Sequence, residues 1–176
     1  MIKETRSILK VLSILLQYPD QELVGAVQDL RRIVRTFSHS RTRTDCESFL
    51  EYLDSTPLVN LQEYYTANFD LNPATCLYLT YHELGDGKAR GPALVRLKQL
   101  YKEAGYEPLN GELPDYLPLV LEFLSVCPER MWPEILIWFK KHMAGPASKL
   151  KESRSPYAWI LEALMSLSHT NAPSKR

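Results

Sequence analysis

Large apolar residues recur along almost the whole chain at intervals of three and four, and nowhere do they alternate with polar ones over a strand's length. That pattern confines the chain to helices packed on helices. Ile8, Val11, Leu12 and Leu15 form the first stripe, which stops at Tyr18-Pro19 because a residue before proline disfavours the helical region. Asp20 is placed to cap a second helix carrying Leu23, Val27, Leu30 and Val34. Beyond the polar loop 38–44, Thr44 and Glu47 have the spacing of a capping box that opens a helix with Phe49, Leu50 and Leu53. Leu58, Leu61, Tyr65 and Phe69 make the next stripe. Asn72 followed by Pro73 then predicts a helix through Leu77, Tyr78, Tyr81 and Leu84, ended by the glycine-bearing turn 85–91. Leu94, Leu97 and Tyr101 close at Gly105, a residue suited to the left-handed cap. Trp132, Ile135, Leu136, Phe139 and Met143 predict a helix ended at Gly145-Pro146, and Ser155-Pro156 opens the last one, with Ile160, Leu164 and Leu167 inward. The expectation is an all-α single globular multi-helix domain of about eight or nine helices over residues 1–170, with 171–176 as a frayed tail.

Composition narrows the function. Basic and acidic residues balance at 21 each in 176 residues, which argues against bulk binding to nucleic acid or to a membrane surface. Cys46, Cys76 and Cys127 are far apart and sit beside apolar residues, so they read as small buried hydrophobes. The apolar N-terminal run is interrupted by Lys10 and followed by Tyr-Pro-Asp in place of a cleavage site, and no stretch reaches the ~20 apolar residues of a membrane span. A cytoplasmic location is expected.

Few residues have spacings that suggest chemistry. In the segment 112–124, helical geometry sets Asp115 and Glu122 about 10 Å apart with Leu119 between them, too far for a paired-carboxylate hydrolase. The same helix is apolar nearly all round, with Leu117, Val120, Leu121 and Leu124 on one face and Tyr116, Leu119 and Phe123 on the other. It is therefore either a central core helix or one with a side turned to a partner. In the second case Asp115, Leu119, Glu122 and Phe123 line a mixed groove suited to an amphipathic helix of positive charge. His82-Glu83-x-x-Asp86 echoes the zinc motif H-E-x-x-H, with Asp86 in place of the second histidine and glycines on either side of it. A metal-dependent hydrolase using His82, Glu83 and Asp86 is the alternative it offers. The turn 85–91 lacks the strand and Gly-Lys-Ser/Thr of a phosphate loop, although Lys88 and Arg90 sit where an anion is attracted. Basic runs at 31–43 and 140–154 read as solvated faces. No nucleophile is marked by its neighbours.

Three blocks in order, LQEYYTANFD, LYLTYHELGDGKARGPALVRLKQLYKEAGYE and ELPDYLPLVLEFL, resemble the NarJ-type nitrate reductase molybdenum-cofactor assembly chaperones, densest over residues 61–124. The resemblance implies a TorD-like helical chaperone of redox-enzyme maturation without enzymatic activity or a cofactor of its own. Such proteins bind the N-terminal segment of the apo catalytic α subunit of membrane-bound respiratory nitrate reductase. They hold it ready for the molybdenum cofactor and an iron–sulfur cluster before membrane docking. The family's shared positions fall on Tyr65, Phe69 and Asp70, then on Tyr81, His82, Gly85, Asp86, Arg90 and Gly91, and finally on Glu112, Leu113, Pro114, Asp115, Leu117, Pro118, Glu122 and Phe123. Where many members carry Ser-Arg after the Gly-acid turn, this chain has Gly87-Lys88. Together with the groove reading, this nominates Tyr65, Phe69, Tyr78, Tyr81, His82, Asp86, Arg90, Asp115, Leu119, Glu122 and Phe123 for contact with the client. A helical interaction module serving a different client is the remaining alternative.

Overall fold

The structure, a computed structural model, describes residues 2–108 and 111–170. The expected tail 171–176 lies outside the described residues. Ten α-helices follow in order: α1 (Ile2–Leu15), α2 (Gln21–Gly25), α3 (Val27–Val34), α4 (Ser40–Ser55), α5 (Leu58–Tyr65), α6 (Tyr81–Leu84), α7 (Arg90–Glu103), α8 (Leu117–Val126), α9 (Trp132–Glu152) and α10 (Tyr157–Thr170). Among the described residues there is no strand, only one isolated antiparallel bridge between Tyr78 and Tyr116. No helix among the described residues is long and apolar enough to cross a membrane.

Helix α8 is the greasiest and runs along α1, while α10 runs along both α4 and α9. Leu117, Val120, Leu121, Phe123 and Leu124 are all buried, and α1 answers with Ile8, Leu9, Val11, Leu12 and Leu15. Specific hydrogen bonds fix the register of this pair. The buried Ser13 hydroxyl donates to Pro118 O at 2.7 Å. At the other end, α8's terminal carbonyls receive donors from afar: Arg6 Nη1 and Nη2 reach Ser125 O and Cys127 O, both at 2.8 Å, and Trp132 Nε1 reaches Leu124 O at 3.0 Å. A cation at a helix C-terminus also complements the helix dipole.

Local signals decide most of the helix ends. Asp20 caps α2 as expected, its Oδ1 accepting from Leu23 N at 2.8 Å. Gly105, at φ 68°, lets the chain turn left-handed so that Tyr106 N reaches Tyr101 O at 2.9 Å. Three expectations fail. The helix assigned to Thr44 begins earlier, at Ser40, because the ring of His39 accepts from Thr42 and supplies the cap. The Glu4 carboxylate holds Ser38 N and Oγ, anchoring that start to α1. Asn72 makes a local turn, accepting from Ala74 N at 3.1 Å, so residues 72–80 are extended and turn-like and only Tyr81–Leu84 is helical. Pro146 lies inside α9. The buried Met143 and Leu150 stand seven residues apart on one face, and packing them both outweighs the ~3 kcal/mol that an interior proline costs.

Candidate functional site

The segment 75–80 and the segment 113–117 meet side by side before α8. Leu79 N donates to Asp115 O at 3.0 Å and Leu117 N to Leu77 O at 2.7 Å. A buried charge pair fastens the meeting. Asp115, 0% exposed, takes both of its oxygens to Arg90 Nη2, at 3.1 and 2.9 Å, and also accepts from Thr80 N at 3.1 Å and from the Thr80 hydroxyl. Arg90 extends the network through Nε to Thr80 Oγ1 at 3.0 Å and through Nη1 to Asp86 Oδ1 at 3.1 Å. Its guanidinium lies over the rings of Tyr78 and Tyr81, at 5.5 and 5.8 Å. Every strong donor and acceptor of the pair is matched, which is the condition for a buried ion pair to be tolerated.

This junction sets the wall of a groove of about 600 Å³ lined by Gln17, Tyr18, Tyr106, Glu107, Pro108, Glu112, Tyr116, Pro118, Leu119 and Glu122. Among the described residues, three carboxylates and no lysine or arginine line it. Its phenols are oriented as well. The single hydroxyl hydrogen of Tyr65 goes to Leu16 O at 3.1 Å, so across the 2.7 Å contact Tyr116 must donate to Tyr65. Tyr106 donates to Glu122 Oε2 at 3.1 Å, and Tyr78, just behind the wall, donates to Glu112 Oε1 at 3.2 Å. Burial, with Glu122 and Glu112 respectively beside them, pushes the Tyr106 and Tyr78 phenols up to about 12, so both stay protonated donors at neutral pH. Burial raises Tyr116 too. Tyr106 and Tyr116 thus spend their hydroxyl hydrogens on Glu122 and Tyr65, which leaves their oxygens as acceptors only. Such a surface favours ligands rich in donors and positive charge.

Of the residues nominated from sequence, Leu119 and Glu122 line this groove. Several others are corrected by burial. Asp115 precedes α8 and is sealed inside, committed to Arg90 and Thr80; Phe123 packs inward on Tyr101, ring centroids 4.5 Å apart. Tyr65 and Phe69 also turn into the core. One wide helical turn, Thr66–Asp70, closed by Leu71 N to Thr66 O at 3.0 Å, swings both rings against Tyr157, at 5.8 and 4.7 Å. Arg90 is buried, which withdraws it from the suggested anion site in the turn 85–91. Tyr78 and Tyr81 are half-buried on its guanidinium, and Asp86 is an exposed end of the network. His82 is half-buried with Nε2 at 2.8 Å from Cys76 O, and burial holds its pKa below the ordinary histidine value. The hydrolase set does not converge: Glu83 turns to Lys141 and to His142 Nε2, the latter at 3.3 Å, and Asp86 to Arg90. Among the described residues no group of three or more His, Cys, Asp and Glu side chains could hold a metal ion.

Sequence reasoning missed Gln17, Tyr18, Tyr106, Glu107 and Pro108, and did not assign Tyr116 to the site. A signal was present. Tyr18 and Tyr106 each stand just past a helix end, beside a proline or glycine, where helical period does not assign a large ring to the core.

The sequence profile described as nitrate reductase delta subunit matches residues 39–134, more than half of the chain. The chain belongs to the nitrate reductase delta subunit family. The nitrate reductase molybdenum cofactor assembly chaperone NarJ of Escherichia coli (strain K12) is 31% identical over 171 residues, covering 96% of this chain and 72% of NarJ. The protein named probable nitrate reductase molybdenum cofactor assembly chaperone NarJ of Bacillus subtilis (strain 168) is 32% identical over 154 residues, 88% of this chain and 84% of its own length. The fold has a solved counterpart in a redox enzyme maturation protein from Archaeoglobus fulgidus, with TM-score 0.66, 26% identity and 93% of both chains covered. This is the expected all-α TorD-like architecture. The delta subunit match takes in the whole Arg90–Asp115 junction and the groove residues from Tyr106 to Glu122, whereas Gln17 and Tyr18 lie outside it.

Proposed function

We propose that this chain is a cytoplasmic chaperone for the maturation of membrane-bound respiratory nitrate reductase. It holds the N-terminal segment of the apo catalytic α subunit so that the molybdenum cofactor and an iron–sulfur cluster are inserted before membrane docking. It acts by binding and release, with no covalent step. The observation that carries the reading is the groove between the end of α1 and the start of α8. It has an apolar floor at Leu119 and Pro118, phenol oxygens turned to accept, and Glu107, Glu112 and Glu122 without a lysine or arginine in the lining. An apolar helix of basic character is the complement of that surface in shape and charge. The family and the names of the relatives support nitrate reductase as the client.

Calorimetry with a peptide of the α-subunit N-terminus tests the reading, and the expected affinity is micromolar or tighter, about 8 kcal/mol. Glu112→Lys, at an exposed rim position, and Leu119→Asp, at a half-buried one, are each expected to weaken binding tenfold or more while circular dichroism stays helical. Absence of heat at several pH values removes the proposal. Full affinity in both variants moves the client off this groove.

A further inference from the structure

Glu122 is the one groove carboxylate already held by a cation of the same chain. Lys10 of α1 pairs with its Oε1, while Tyr106 donates to its Oε2 at 3.1 Å. Lys10 does not line the groove, and its side chain is about half exposed. It is also the residue that interrupts the apolar run of α1 where the helix passes α8.

We propose that Lys10 is a built-in competitor for the client's positive charge. In the empty protein it neutralises Glu122. When a basic side chain enters the groove it takes Glu122 Oε1, and Lys10, on its flexible stem, swings into solvent. This rests on the groove being the client site proposed above, and adds a device that sets the affinity. An exposed pair has little net strength, so the lysine is a weak stopper that a well-placed guanidinium or ammonium displaces easily. The device keeps the acid-lined groove from holding stray basic peptides as firmly as its geometry would otherwise allow. It also eases release, since Lys10 is at hand to refill the vacated position. Among the described residues Glu107 and Glu112 have no such cation, and they remain the entry points for charge.

The experiment is calorimetry of wild-type protein, Lys10→Met, Glu122→Gln and the double variant against the α-subunit N-terminal peptide, and against a version with its lysines and arginines replaced by glutamine. Lys10→Met is expected to tighten binding of the basic peptide about two- to fivefold, the range of an exposed ion pair. The gain should vanish in the Glu122→Gln background and be absent for the neutral peptide. Lys10→Gln serves as a second variant should Lys10→Met fold poorly by circular dichroism. If the wild type binds the peptide but Lys10→Met and Lys10→Gln bind it equally or more weakly, Lys10 is a structural surface pair and the inference is wrong. If the wild type gives no heat at all, the client assignment itself fails, which is a separate outcome.

Discussion

Removing the carboxylate of Asp115 should cost the fold more than any other single polar change among the described residues. The Asp115→Ala variant removes the carboxylate whose two oxygens both accept from Arg90 Nη2, and leaves a guanidinium whose side chain is only 10% exposed. It also strips Thr80 N of its acceptor. Breaking a buried ion pair from one side costs about 3–5 kcal/mol, and Arg90 keeps only the exposed Asp86 as a counter-charge, which sets the expectation toward the lower end of that range. A domain's whole stability is roughly 5–15 kcal/mol, so the variant should be marginal. With a urea slope of about 2 kcal/mol per molar, the unfolding midpoint by circular dichroism should fall by about 1.5–2.5 M. Arg90→Met combined with Asp115→Leu removes both charges at once and should cost clearly less than the sum of the single changes. Asp86→Ala touches the exposed end of the same network and should cost under ~1 kcal/mol. The reasoning is refuted if Asp115→Ala loses less than ~1 kcal/mol, or if it abolishes peptide binding while keeping full stability. Either result would return Asp115 to the client surface.

Two predictions concern pH. Asp45 is buried with its Oδ2 lacking a hydrogen bond, and burial raises its carboxyl against the pull of Arg41. A raised folded pKa favours the protonated form, so the fold is weakened once pH climbs through that value. Asp45→Asn should therefore raise the urea midpoint at about pH 7, with the gain shrinking toward about pH 4; a loss at neutral pH would show that the ion pair with Arg41 outweighs burial. His82 and His142 have the opposite sign: burial lowers both, so the stability they allow is present above the ordinary histidine pKa and lost as pH falls. The unfolding midpoint should drop between about pH 7 and about pH 5, and His82→Gln with His142→Gln should flatten that slope. An unchanged slope in the double variant would assign the acid sensitivity to other groups.

The helical period of the apolar residues made the class of fold legible, since Leu12, Leu50, Leu121 and Ile160 are all buried where their spacing puts them. Boundaries were less legible wherever a distant partner competes with a local signal. Thr44 and Glu47 have the right spacing for a cap, but Glu4, from the far end of the chain, fixes Ser38 and lets His39 cap first. Pro146 should stop a helix, and does not, because Met143 and Leu150 are packed on both sides of it. The site was half legible. Helix geometry points to Leu119 and Glu122, which do line the groove, and also to Asp115, which precedes the helix by two residues, and to Phe123, which an all-round apolar helix cannot assign to the inner or the outer face. The wall supplied by Tyr18 and Tyr106 comes from residues beyond helix ends, where periodicity says nothing.

The signature blocks that resemble the family therefore both brace the groove and supply most of its lining. An apolar pair in place of Arg90 and Asp115 would avoid the desolvation of two charges, and such replacements are often neutral or stabilising. An ion pair fits better here because hydrophobic contacts are non-directional, whereas a bidentate carboxylate with two further donors accepts only one arrangement of the segments 75–80 and 113–117. That arrangement fixes the bridge between Tyr78 and Tyr116, and with it the direction of two phenols: Tyr78 toward Glu112 and Tyr116 toward Tyr65. A slip of one residue would turn these rings to the opposite side and break both bonds. The buried pair thus sets, from behind the wall, the pairing that spends the Tyr78 and Tyr116 hydrogens on Glu112 and Tyr65, and the proposal of a basic client rests on the acceptors that remain.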